Sequence, residues 1–188
     1  MFSNIPGLVY LCPTNKDEYL AMLDYSIAQN ERPFVIAVPG GPVVGAEYPV
    51  DTDYSDIDKY QVCESGTEIA ILALGDFFSI GKKAAAFIEE KTGHKVTLVN
   101  PRFASGVDKA LLDKLTADHK IFITLEDGML DGGFGQKIAS YLGNRDVRVL
   151  NYGFEKIFYD GYDIEELLKE RRLTPEGIWG DIEGITKD

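Results

Sequence analysis

The residues able to do chemistry are few and scattered. His94 and His119 are the only histidines, and Cys12 and Cys63 the only cysteines. No serine or cysteine sits in a nucleophile elbow with a base beside it, so the residues do not support a self-contained acyl-transfer site. His94 follows the helix-ending Gly93, and His119 falls where a helix gives way to a strand, so a structural or solvated role is expected for both. The cysteines are far apart and form no C-x-x-C, which leaves a zinc site or a disulfide framework without support and favours reduced thiols in the cytoplasm.

Two further groups carry candidate chemistry. The run Glu126-Asp127-Gly128-Met129-Leu130-Asp131-Gly132-Gly133-Phe134-Gly135 leads from a strand end into a helix start, where backbone amides can hold an anion. Its spacing matches neither G-x-G-x-x-G nor G-x-x-x-x-G-K-[ST], and its three carboxylates oppose a phosphate. Close backbone packing is the favoured reading, ahead of a partner contact and of phosphate binding. Glu126 and Asp127 are adjacent and point to opposite faces of a strand, so capping and solvation suit them better than paired acid-base work. Arg102 follows a strand end, where α/β folds place ligands. It can hold a carboxylate or phosphate of a substrate, or pair with an acidic neighbour, and the second reading is favoured.

These residues need a scaffold, and the length supplies one. The chain has 188 residues, 45% of them apolar, with 19 Lys and Arg against 31 Asp and Glu for a net charge of −12. A chain of this size buries roughly 70% of its unfolded surface, so neither metal nor disulfide is needed for a core. The acidic balance argues against nucleic acid and anionic membranes as partners. The longest apolar stretch, Ile69 to Leu74, is far short of a membrane span, and the first residues lack a signal-peptide pattern, so a soluble, unexported protein is expected.

The elements read as α/β. Leu8 to Cys12 is an apolar run of buried-strand length. Thr14 with Asp17 predicts a capping box, Leu20, Leu23 and Ile27 recur at helical spacing, and Phe34 to Val38 is a second strand. Two parallel strands make no stable sheet alone, so either later strands complete it or part of a domain is missing. Residues 41–67 read as an acidic linker, in which Tyr60 to Glu64 is expected to pair as a hairpin with Thr67 to Leu74 across Ser65-Gly66. Strands and helices then alternate through Val147 to Leu150, predicting a mainly parallel sheet with flanking helices. Two C-terminal helices follow, one capped by Asp163 and one started by Thr174-Pro175.

A family resemblance is carried in order by Ile5 to Asn15, Asp17 to Leu23, Val99-Asn100-Pro101-Arg102-Phe103, Asp108, Thr124-Leu125-Glu126-Asp127, Gly132-Gly133-Phe134-Gly135 and Val149-Leu150-Asn151-Tyr152-Gly153. Together these resemble the C-terminal third of transketolase-type thiamin diphosphate enzymes, most closely the 1-deoxy-D-xylulose-5-phosphate synthases. The resemblance implies that residues 1–40 are the end of a pyrimidine-binding domain and that residues 68–188 are a Rossmann-like, three-layer transketolase C-terminal domain. It also implies a parent enzyme, dimeric and cytoplasmic, using thiamin diphosphate and magnesium. The family's G-D-G…N metal motif, activating glutamate and active-site histidine have no counterpart in these residues. No catalytic, cofactor or metal residue is therefore expected here, and the chain alone is expected to be inactive without its N-terminal portion or subunit.

One family position departs from the pattern. Where the synthases carry R-Y-P-R-G, whose second arginine holds the acceptor's phosphate, this sequence has Ala37-Val38-Pro39-Gly40-Gly41. Gly40 removes a charge-assisted contact usually worth one to three decades of affinity, roughly. Glu155-Lys156 similarly replaces Pro-Asp. The resemblance thus implies a transferase segment that supplies a subunit interface and part of a pocket wall. The alternative is a free-standing α/β interaction module.

Overall fold

The computed structural model describes residues 2–38 and 44–186. Gly40 lies outside them. The chain forms β1 (Val9–Leu11), α1 (Lys16–Ala28), β2 (Phe34–Ile36), β3 (Gln61–Glu64), β4 (Glu68–Ala73), α2 (Phe78–Thr92), β5 (Thr97–Asn100), α3 (Lys109–Leu115), β6 (His119–Met129), α4 (Phe134–Leu142), β7 (Arg148–Phe154), α5 (Ile164–Glu170) and α6 (Pro175–Thr186).

Five strands make the main sheet in the order β3-β5-β4-β6-β7, with β5, β4, β6 and β7 parallel. Central β4 is apolar on both faces because both are covered. Ile69, Ile71 and Ala73 enter one core with Ala84 and Ile88 of α2 and Ile178 and Ile182 of α6. Ala70 and Leu72 enter the other with Leu112 of α3 and Ile138 of α4. The result is the expected three-layer, mainly parallel α/β fold. Helix α2 stops at Gly93, whose φ of 73° is the left-handed geometry that glycine accepts at a helix C-terminus.

The expected hairpin does not form. β3 pairs antiparallel with β5, Gln61 opposite Asn100, and is the antiparallel exception in the sheet. β4 has its two hydrogen-bonding edges taken by parallel β5 and β6, in keeping with its buried apolar run from Ile69 to Ala73. The short, half-exposed β3 suits an edge.

β1 and β2 form a separate two-stranded parallel sheet, with Val9 opposite Phe34. The α1 cap falls one residue later than the sequence suggests. Asn15 accepts from the Glu18 N–H, while the Glu18 carboxylate takes both the N–H and the hydroxyl of Thr14. The inward face also differs. Glu18 and Met22 are buried, whereas Leu20 and Ile27 are 44% and 73% exposed. The inner residue of this helix is polar because it has partners waiting in the main sheet, which periodicity of apolar types does not reveal. A third core of Val9, Leu11, Met22, Tyr54 and Phe103 fastens this unit to residues 101–104, where Leu11 bridges Phe103 and Cys12 N–H donates to the Arg102 carbonyl at 2.7 Å.

Candidate functional site

With α2 on one face of the sheet and α3 and α4 on the other, the winding reverses beside β4. The carboxyl ends of β4 and β6 therefore border a crevice, the usual ligand position in open α/β sheets. Leu74, Gly75, Asp76 and Asp127 form one wall of a cavity of about 230 Å³, and Tyr10, Cys12, Ala37 and Val38 of the N-terminal unit form the other. The wall carries two carboxylates and no cation. Partial burial, followed by the charge of Asp76, pushes the Asp127 carboxyl above its ordinary value. Burial, then Glu126, pushes the Cys12 thiol up to about 12, which keeps it protonated and a poor nucleophile at neutral pH.

Behind this wall lies the glycine run. The Glu126 carboxylate accepts from the N–H groups of Phe134 and Gly135, both at 2.8 Å. The amides at the start of α4 thus hold an anion, and that anion is the protein's own. A Cβ at Gly133 would stand 2.6 Å from a Glu126 carboxylate oxygen, and one at Gly135 would collide with the Thr124 hydroxyl. The glycines serve close packing. Lys137, one turn into α4, donates to the carbonyls of Ser3 and Ala104 at 2.8 and 2.7 Å. Burial lowers its pKa, and Glu126 acts in the opposite direction. Sequence reasoning missed Lys137 because its partners are backbone carbonyls from distant segments.

Arg102 is buried, with φ at 62°. Its guanidinium pairs with Asp51 and donates to the Lys59 carbonyl at 2.7 Å, above the rings of Tyr54 and Phe103. Next to it, Asn100 donates to Glu18 at 2.9 Å and accepts from the Arg102 N–H at 3.1 Å. This chain of side chains joins α1, the end of β5 and the acidic linker. Arg102 and the crevice are separate features. The two histidines lie apart, His94 exposed beyond α2 and His119 buried at the opposite end of the sheet from the crevice. Among the described residues no group of three or more His, Cys, Asp or Glu is placed to hold a metal, and no helix is long and apolar enough to cross a membrane.

The family description transketolase C-terminal domain matches residues 58–178, from just before β3 into α6. The chain belongs to this family. Beyond the transketolase C-terminal domain itself, the similarity to curated relatives extends over nearly the whole chain. It is 28% identical over 177 residues to the 1-deoxy-D-xylulose-5-phosphate synthase of Shouchella clausii, covering 93% of this chain and 28% of that protein. To the synthase of Pseudoalteromonas translucida it is 32% identical over 176 residues, covering 93% and 27%. The chain thus spans little more than a quarter of these relatives. Solved structures agree on the fold. A split-gene transketolase, described as an inactive β4 tetramer, superposes with a TM-score of 0.77 at 20% identity over 97% of this chain and 58% of that one. A Pichia stipitis transketolase superposes with a TM-score of 0.72 at 17% identity over 97% and 26%.

Proposed function

We propose that this chain is the C-terminal segment of a cytoplasmic, thiamin diphosphate-dependent transferase resembling 1-deoxy-D-xylulose-5-phosphate synthase, the class that condenses pyruvate with glyceraldehyde 3-phosphate. Residues 1–40 are the last β-α-β unit of its pyrimidine-binding domain, residues 41–67 a linker, and residues 68–188 its C-terminal domain. The observation that carries this reading is the two-stranded parallel sheet, which among the described residues leaves β2 with an open edge and Leu20 and Ile27 of α1 exposed. Parallel sheets are stable when both faces and their edges are covered, and the remaining strands of a pyrimidine-binding domain supply that cover.

In this reading the cofactor, with its magnesium, is held by the rest of a dimeric parent. The present residues contribute subunit interface and pocket wall. Gly40, in place of the family's phosphate-holding arginine, comes two positions after Val38 in the sequence, and the crevice wall that Ala37 and Val38 line has Asp76 and Asp127 as its charged groups. Both features weaken the hold on a phosphorylated acceptor. Arg102, committed to Asp51 and Lys59, fastens the linker and takes no substrate.

Calorimetric titration of the 188-residue chain with thiamin diphosphate and magnesium tests the assignment. No binding is expected, and measurable binding overturns it. Mixing the chain with the N-terminal portion of a synthase is expected to give a complex and pyruvate-consuming activity. In the parent, Gly40→Arg is expected to lower the KM for a phosphorylated acceptor. A second reading, a free-standing interaction module, draws on the exposed Ile157, Phe158, Tyr162 and Ile164 ahead of and entering α5. It would be favoured if the chain is made in cells without any cofactor-binding counterpart.

A further inference from the structure

His119 opens β6 and is 2% exposed. It stands in a chain of polar contacts that runs from Asp118 through His119 and Thr97 to Gly66, remote from the crevice. Its Nδ1 is 2.6 Å from Asp118 Oδ1 and 3.0 Å from the Leu115 carbonyl oxygen. Both neighbours only accept, so Nδ1 carries a hydrogen. Its Nε2 is 2.8 Å from Thr97 Oγ1. That hydroxyl accepts from the Gly66 N–H at 2.9 Å and lies 3.2 Å from the Gly66 carbonyl oxygen.

The hydrogens do not balance when the ring is neutral. Thr97 has one hydroxyl hydrogen, and two acceptors compete for it: Nε2 and the Gly66 carbonyl. One more proton resolves the competition. With an imidazolium, Nε2–H donates to Thr97, the Thr97 hydroxyl donates to Gly66, and every polar atom in the chain has a partner. We propose that His119 and Thr97 form a proton-operated latch on the β3–β4 turn, closed on Gly66 when the ring is charged and slackened when it is neutral.

The turn is a place where small changes matter. A Cβ on Gly66 would collide with the carbonyl of Lys95, and Thr67 N–H donates to that same carbonyl at 3.1 Å. The next residue, Glu68, has a φ of 66°. The charged residues around the imidazole are Asp118 beside it, Glu68 opposite it on β4, Lys95 before β5 and Lys120 after it on β6, the last paired with Asp146. α3 presents the Leu115 carbonyl, and Phe122 contributes its ring at 6.3 Å.

The test is nuclear magnetic resonance of the intact chain over a pH series that carries the His119 ring signals from their charged to their neutral form. The Gly66 carbonyl carbon shift is expected to titrate together with the His119 ring protons. The Gly66 and Thr67 amides are expected to be about 3- to 10-fold more protected from exchange with the ring charged than with it neutral, the effect of one hydrogen bond. Thr97→Val should abolish the dependence and Thr97→Ser restore it. A Gly66 signal that ignores the His119 titration in the unaltered chain overturns the latch, as does a pH dependence that survives Thr97→Val.

Discussion

At the scale of single residues, Glu126 does locally what the glycine run seemed placed to do for a ligand. Its carboxylate is buried, receives two N–H groups at the head of α4, and is shielded by glycines whose side chains would displace it. Glu126→Ala should cost about 2 to 3 kcal/mol in urea unfolding, since both amides lose a charged acceptor, and Glu126→Gln about half as much. Asp127 points the other way. Its carboxyl is raised in the folded chain, so the folded state binds a proton more readily than the unfolded state, and its contribution is favourable below the ordinary aspartate value near 4 and is lost as pH rises through the folded value. Asp127→Asn is therefore expected to raise Tm at pH 7 and to leave it unchanged at pH 3.5. Scanning calorimetry at both pH values checks the sign.

At the scale of elements, α2 meets β4 so closely that glycine is required between them. A Cβ on Gly81 would lie 2.5 Å from Ala73 Cβ and 3.3 Å from side chains of Ile71 and Leu125. Gly81→Ala gains about 1 kcal/mol in helix propensity, yet a net loss of about 1 to 2 kcal/mol is expected by chemical denaturation because the layers must part. Such elements were legible: the runs around Ile71, Ile123 and Ile138 have the length and period of buried strands and an amphipathic helix. Pairing was less so. Tyr60 to Glu64 reads as a strand, but which neighbour it joins depends on β4 having both edges occupied, and local patterning does not carry that information. α1 misled for a related reason. Its buried face contains Glu18, whose acceptors are satisfied by Thr14 and by Asn100, 82 residues away. Of the candidate site, the strand-end position of Arg102 was visible, whereas Asp51 and Lys59 as its partners, and the joining of Cys12 and Asp76 in one cavity, arise only from tertiary packing.

At the scale of the whole molecule, the acidic segment after residue 44 behaves as a strap between two units. Asp17 accepts from the Ala46 N–H, Glu47 pairs with Lys82, Asp51 with Arg102, and Tyr54 inserts into the core beside Phe103. These attachments are unequal. The Glu47–Lys82 pair is exposed and worth at most about 1 kcal/mol, while Arg102 is buried and anchors two points. Arg102→Met should speed cleavage within residues 51–58 by a protease specific for acidic residues, and Lys82→Met should leave the rate nearly unchanged. The pairing of β3 with β5 also bears on synthesis. Leu11, Met22, Tyr54 and Gln61 all precede β4, yet the core and the strand pairing they join are completed only by Phe103 and Asn100. During translation, at roughly 5 to 20 residues per second, residues 9–61 therefore wait some seconds for residues 97–103 with apolar surface uncovered, within reach of chaperones.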